Sequence, residues 1–285
     1  MSEKKKCIFC DAPANSKEHF WGRWPKKHYL VDPSPKGRNE HPENHLHDDF
    51  SITIESGFGA KSGHSLNRTL DNLVCRECNM GWMGDIQEEM SSIFLTIRDA
   101  FAYKFTKESA KTVVDWYILK CLLVEASYSL DKWGKPISDA LGVTKELTEV
   151  ARKNRFRFAQ SRAIPDNWEV YFSRSPLMNG SMGAQNYVST LVAGKDECHV
   201  LFSCCLFMGH FSAIVTNIRF FFPEQFSIFE KHNLPIVRIS PLGVSPVLLD
   251  SRRLHQRSIE EIAFQVIENQ PALLVGTPLR YNFKY

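Results

Sequence analysis

Two cysteine pairs, Cys7-x2-Cys10 and Cys75-x2-Cys78, constrain this chain more than any other feature. Each pair sets two thiols one tight turn apart, the spacing at which both sulfurs can face one ion. Residues 11–74 lie between the pairs, so a shared ion would bind the start of the chain to a turn far along it. Four thiolates favour tetrahedral Zn2+ in a closed, structural site. The N-terminus reads Met-Ser-Glu-Lys-Lys-Lys and has no apolar signal core, so a cytoplasmic location is expected. Thiols stay reduced there, and paired C-x2-C motifs then point to metal rather than disulfides. The remaining cysteines, Cys121, Cys198, Cys204 and Cys205, stand in apolar runs and read as small core residues.

The 285 residues suffice for one large domain or two modest ones. Residues 1–95 are polar, histidine-rich and too poor in apolar side chains to build a core alone, which reads as a module organised by metal. Within it, Asp32–Asp49 reads as an inserted loop, Ser51–Glu55 as a strand and Gly57–Gly63 as a turn. His64–Val74 returns as a strand or an ordered loop, and a helix is expected from near Asn79 to Ser92. Residues 96–285 form a second region, with a further division near 160–165. Val113, Trp116, Tyr117, Lys120, Leu123 and Val124 recur at helical spacing, and Thr144 can cap another helix.

Beyond Pro165 the period changes to two. Trp168–Phe172, Tyr187–Val192, His199–Leu206, Ala213–Phe222 and Ile236–Ile239 read as strands, and Ser258 opens a last helix with Ile259, Ile262, Val266 and Ile267 on its apolar face. The expected fold class is α+β, with a mainly antiparallel sheet and a closing helix. The apolar run Val200–Val215 is shorter than the roughly 20 residues a membrane span needs, so it reads as two strands joined near Met208-Gly209-His210.

Chemistry concentrates near the cysteines. In Ser16-Lys17-Glu18-His19, a neutral imidazole can take a proton from water near pH 7, and an adjacent carboxylate can hold a hard cation such as Mg2+. On an extended strand the two side chains point oppositely, so a bend must bring them together. Asn72 can hydrogen-bond the backbone and hold the histidine in place. Asn79, directly after the last cysteine, can offer its amide oxygen to a metal or can cap the helix. The net charge of +3 neither requires nor opposes a nucleic-acid partner. Local clusters matter more: Lys4–Lys6, Lys17–Lys27 and Lys153–Arg162. Among Trp21, Arg23, Trp24, Lys26, Lys27 and His28, the cations suit phosphate and the tryptophans suit packing. Arg76 is a further candidate for phosphate contact. The stretch His41–Asp49 carries ligand types for a second metal, but its spacing matches no tight site.

Cys-x2-Cys, then Glu-His, then Asn-Leu-x-Cys-x2-Cys-Asn resembles the HNH endonuclease family and its zinc-bound ββα-metal core, over roughly the first 90 residues. Cys78-Asn-Met-Gly-Trp-Met83 resembles a bacterial subgroup of that family. By this resemblance His19 is the general base, Glu18 and Asn79 are ligands to a catalytic Mg2+ or Mn2+, and Asn72 orients the histidine. A third ligand is not evident, with Asp85 the nearest candidate, and Gly22 stands where relatives commonly carry proline. The resemblance implies phosphodiester cleavage in DNA, or in RNA, leaving 5′-phosphate and 3′-hydroxyl ends. One such centre nicks a duplex unless the protein dimerises, so a homodimer or a partner protein is expected. A role as a phage-defence effector follows from family analogy alone. The competing expectation is a zinc-knuckle nucleic-acid-binding protein without catalysis.

Overall fold

A computed structural model describes residues 5–19, 21, 24, 44–46, 52–54, 69–99, 103–127, 145–174, 182–193, 197–208, 211–217, 236–240, 248–249 and 279–283. It is a mixed helix and strand structure, α+β in class. The expected closing helix from Ser258, the cations Arg23, Lys26 and Lys27, and most of the His41–Asp49 stretch lie outside the described residues.

The smaller of the sheets that position the cysteines joins β1 (Lys17–His19) antiparallel to β4 (Thr69–Asp71). β4 leads through a turn into α1 (Arg76–Met80) and then α2 (Trp82–Asp99). Helix α1 begins earlier than the sequence suggests. Its N-cap is Cys75, whose sulfur accepts from the backbone N–H of Cys78 at 3.3 Å, while Asn79 lies inside the helix. Gly81 separates the two helices because a Cβ there would lie 2.7 Å from the Glu77 carbonyl oxygen, closer than such atoms approach.

α2 is amphipathic at helical spacing. Met83, Ile86, Met90, Phe94 and Ile97 are buried, whereas Asp85, Glu88, Glu89, Ser92 and Thr96 are exposed. Burial of such side chains stabilises the fold by about 1.5–3 kcal/mol each. Helix α3 (Lys107–Ser127) is different, since every residue from Val113 to Leu123 is buried. A helix buried on all sides belongs in a core, and this one takes Asp115 and Lys120 in with it. α3 packs on α2 and also against strands β6, β9 and β10 of the large sheet. Helix α4 (Lys145–Ser161) follows, starting where Thr144 was expected to cap it.

The large sheet has eight strands in the order β10-β6-β9-β8-β7-β12-β3-β2. They are β2 (Asn44–Leu46), β3 (Ile52–Ile54), β6 (Glu169–Arg174), β7 (Met182–Ala193), β8 (Glu197–Met208), β9 (Phe211–Thr216), β10 (Ile236–Ser240) and β12 (Leu279–Phe283). β8 and β9 form the hairpin expected from the run Val200–Val215. Neighbours pair antiparallel except β12 with β3, which run parallel. β2 lies inside the stretch read as an inserted loop. β3 is the strand expected at Ser51–Glu55, and its partner β12 comes from the end of the chain. A short antiparallel pair, β5 (Tyr103–Lys104) with β11 (Leu248–Leu249), completes the described strands.

One core runs through the described residues from Cys7 to Ile239. The expected boundary between residues 95 and 96 falls within α2. Cys121 is buried, as its apolar surroundings suggest. No described helix is long and apolar enough to cross a membrane.

Candidate metal centre and the strand beside it

The sulfurs of Cys7, Cys10, Cys75 and Cys78 all lie within 4.8 Å of one another. Cys10 Sγ is 3.5 Å from Cys75 Sγ and 3.6 Å from Cys78 Sγ. These are far longer than a disulfide. A tetrahedral ion with Zn–S bonds of ~2.3 Å sets its sulfurs about 3.8 Å apart, so the cluster fits an ion such as zinc. Among the described residues this is the one group of three or more Cys, His, Asp or Glu side chains so arranged.

Backbone hydrogen bonds build the centre. Cys7 N donates to Ala12 O at 2.7 Å and Asp11 N to Cys7 O at 3.0 Å, closing the first turn, with Asp11 in the left-handed region at φ 60°. Ile8 N donates to Leu73 O at 3.1 Å and Ser16 N to Val74 O at 3.1 Å, joining the first turn to the second. The Asn15 side chain accepts from Arg76 N at 3.0 Å, satisfying an N–H at the start of α1. Burial pushes the Cys75 thiol up to about 11 and raises the Cys78 thiol further. Burial acts likewise on Cys10, but hydrogen bonds from Ala12 and from the other thiols outweigh it and the net shift is downward. Four sulfurs held this closely become thiolates only with a cation among them.

The Cys78–Met83 motif is explained by packing. Gly81 permits the close turn, Met83 is fully buried, and Trp82 packs edge-on to Phe9 at 5.0 Å and to Phe158 of α4 at 6.0 Å. The Arg162 guanidinium lies 4.1 Å from the Trp82 ring centroid. Trp82 thus links the first cysteine turn to α4. Asp11 and Arg152 pair across the same junction. Within the basic run Lys153–Arg162, Arg155 pairs with Glu125 at 3.0 Å and Arg157 with Asp166 at 2.9 Å.

The residues expected to carry catalysis are placed as follows. Glu18 and His19 adjoin on β1, whose pairing with β4 runs without a register shift, Glu18 opposite Leu70 and His19 opposite Thr69. Lys17 is exposed, Glu18 buried and His19 half-buried. Regular alternation leaves Glu18 and His19 on opposite faces of the strand, so the bend that would unite them is absent. The Glu18 carboxylate faces α3, with Oε1 3.8 Å from Lys120 Nζ, and Lys120 is fully buried. Burial raises the Glu18 carboxyl to about 7, opposed by the Lys120 charge. Burial lowers Lys120 to about 8, opposed by Glu18.

Asn79 reaches the same strand from α1. Its Nδ2 donates to Ser16 Oγ at 2.5 Å and to Lys17 O at 3.4 Å. Asn72 is exposed and left-handed at φ 57°, and its backbone N–H donates to Ser16 O at 3.2 Å. Asp85 and Arg76 are exposed, and Arg76 Nε lies 3.3 Å from Met80 Sδ. The tryptophans pack, as expected. Trp21 is buried 6.0 Å from the Trp116 ring, and Trp24 Nε1 and Trp116 Nε1 both donate to Gln87 Oε1, at 3.2 and 2.9 Å. Lys120 is the residue of this region that sequence reasoning did not assign to the site. Its signal was a lysine within an otherwise largely apolar helix.

The family-implied catalytic ion does not fit the described side chains as they stand. Glu18, the one carboxylate assigned to that ion, is buried and turned to an ammonium. No family model, curated protein or solved structure matches the chain.

Proposed function

We propose that the chain is a zinc-scaffolded endonuclease of the HNH type, acting on DNA phosphodiester bonds. The observation that carries this reading is the joining of a four-sulfur centre to a histidine-bearing strand. Helix α1, which is capped by Cys75 and contains Cys78, sends Asn79 to β1, and β1 carries His19. Zn2+ would be held by Cys7, Cys10, Cys75 and Cys78, and with four protein ligands it would be structural. His19 would accept a proton from the attacking water, and hydrolysis would leave a 5′-phosphate and a 3′-hydroxyl. No step is assigned to a divalent ion.

The burial of Glu18 against Lys120 favours a second reading, a zinc-knuckle nucleic-acid-binding protein without catalysis. One experiment separates them. Full-length protein is incubated with supercoiled plasmid in Mg2+ or Mn2+, beside His19→Ala. Nicking by the parent and its loss in the variant support the nuclease. Binding without nicking by either supports the second reading, and equal nicking by both removes His19 as the base.

A further inference from the structure

Glu18 carries a carboxylate that the nuclease reading would give to a divalent cation, yet the fold supplies it with a cation of its own. Lys120 Nζ lies 3.8 Å from Glu18 Oε1, with the two side chains 0% and 5% exposed. Lys120 also lies over the Trp116 ring, 5.4 Å from its centroid, one helical turn away on α3. Trp116 in turn packs on Trp21, just beyond β1, and is fixed through its Nε1–H to Gln87 of α2. The pair therefore sits in a frame built from β1, α2 and α3 rather than on a surface.

A buried carboxylate and a buried ammonium each need a counter-charge, and removing one leaves the other stranded. Such pairs often add little net stability, and in some proteins they fix which elements meet and in what register. Here they join the strand carrying His19 to a helix that also packs on the large sheet. We propose that the cation served by Glu18 is Lys120 rather than a divalent metal ion, and that the Glu18–Lys120 pair positions the His19 strand against α3. Glu18 and Lys120 are then positioning residues, acting through His19. This rests on the nuclease reading for its catalytic consequence, but the pairing itself does not.

The test compares full-length parent, Glu18→Gln, Lys120→Met, Lys120→Arg and the double variant Glu18→Gln/Lys120→Met, each checked for zinc content. Mn2+ binding is followed by electron paramagnetic resonance, cleavage by plasmid nicking, and stability by thermal melting. The expected result is equal Mn2+ affinity in parent, Glu18→Gln and the double variant. Cleavage falls by about 100-fold in Glu18→Gln and in Lys120→Met, as for a misplaced reacting group. It recovers by at least about tenfold in the double variant, which leaves no charge stranded, and Lys120→Arg stays near the parent. Loss of Mn2+ binding in both Glu18→Gln and the double variant makes Glu18 a metal ligand and overturns the proposal. If the parent neither binds Mn2+ nor nicks DNA, the nuclease reading fails and melting judges the pair. A double variant that melts above both single variants upholds the pairing, and one that melts below both overturns it.

Discussion

Asn79 Nδ2 donates to Ser16 Oγ at 2.5 Å, so the helix that carries Cys78 is tied to the residue just before the Glu18–His19 strand. A second bond from the same amide, to Lys17 O at 3.4 Å, is long and contributes less. Asn79→Ala is expected to destabilise the protein by about 1 kcal/mol, the net worth of a typical hydrogen bond. Zinc content should not change, because Asn79 is not among the four sulfur donors. Urea melts with metal analysis check this, and loss of the metal in Asn79→Ala would show that the amide supports the centre itself.

The metal centre makes a stronger demand. Purified protein is expected to hold one zinc ion per chain, and Cys75→Ser should lower both zinc content and thermal stability. Cys75→Ser removes a sulfur ligand while its hydroxyl oxygen can still cap α1, so the loss reports on the metal. Metal binding at such a site is folding free energy, so a chelator should lower the melting temperature of the parent and leave Cys75→Ser almost unmoved. Folded protein with no bound metal would remove the zinc assignment.

Gly81 tests the packing account of the Cys78–Met83 motif. A Cβ at this position would lie 2.7 Å from Glu77 O, a backbone atom that cannot swing aside. Gly81→Ala should therefore cost about 1–3 kcal/mol, as overpacking does. Gly84, within α2, would meet its nearest atom at 3.5 Å, so Gly84→Ala should be tolerated. Equal melting temperatures for the two variants would refute the steric argument.

The Glu18–Lys120 pair also predicts how stability depends on pH. Glu18 is raised from its ordinary 4.5 to about 7, chiefly by burial. Between these values the folded protein holds a proton that the unfolded chain has lost, so this contribution falls as pH rises. Lys120 is lowered from 10.5 to about 8, again chiefly by burial. Between about 8 and 10.5 the unfolded chain keeps a proton that the folded form has shed, so this contribution returns as pH rises further. The pair should thus contribute least between about pH 7 and 8. Melting curves taken across this range for the parent and for Glu18→Gln/Lys120→Met should differ in shape, the double variant lacking that minimum; superimposable profiles would show that the pair does not titrate in this way.

Much of the architecture was legible because it follows from local spacing. The two C-x2-C turns, the alternation of Trp168–Phe172 and the β8–β9 hairpin depend on residues near one another in the chain. The start of α1 was misplaced because a cysteine sulfur, not the Asn79 amide, accepts the capping hydrogen bond. The fate of Glu18 was not legible for a different reason. Its environment is decided by Lys120, on a helix far along the sequence, and a Glu-His dipeptide carries no record of what packs above it. Lys120 was read only as part of the helical periodicity, although its neighbours Tyr117, Ile118, Leu119, Cys121 and Leu122 are apolar and a buried lysine needs a counter-charge.

The metal centre draws two sulfurs from the beginning of the chain and two from beyond residue 74. During synthesis Cys7 and Cys10 emerge long before Cys75 and Cys78, and two thiols alone make a poor, open site. An ion held by all four sulfurs could be captured only after the second turn has left the ribosome, when the strand bearing His19 already hangs between the two halves of the site. Loading such an ion would then coincide with bringing the chain ends of β1 and β4 together, so metal supply would set when this part of the fold can close.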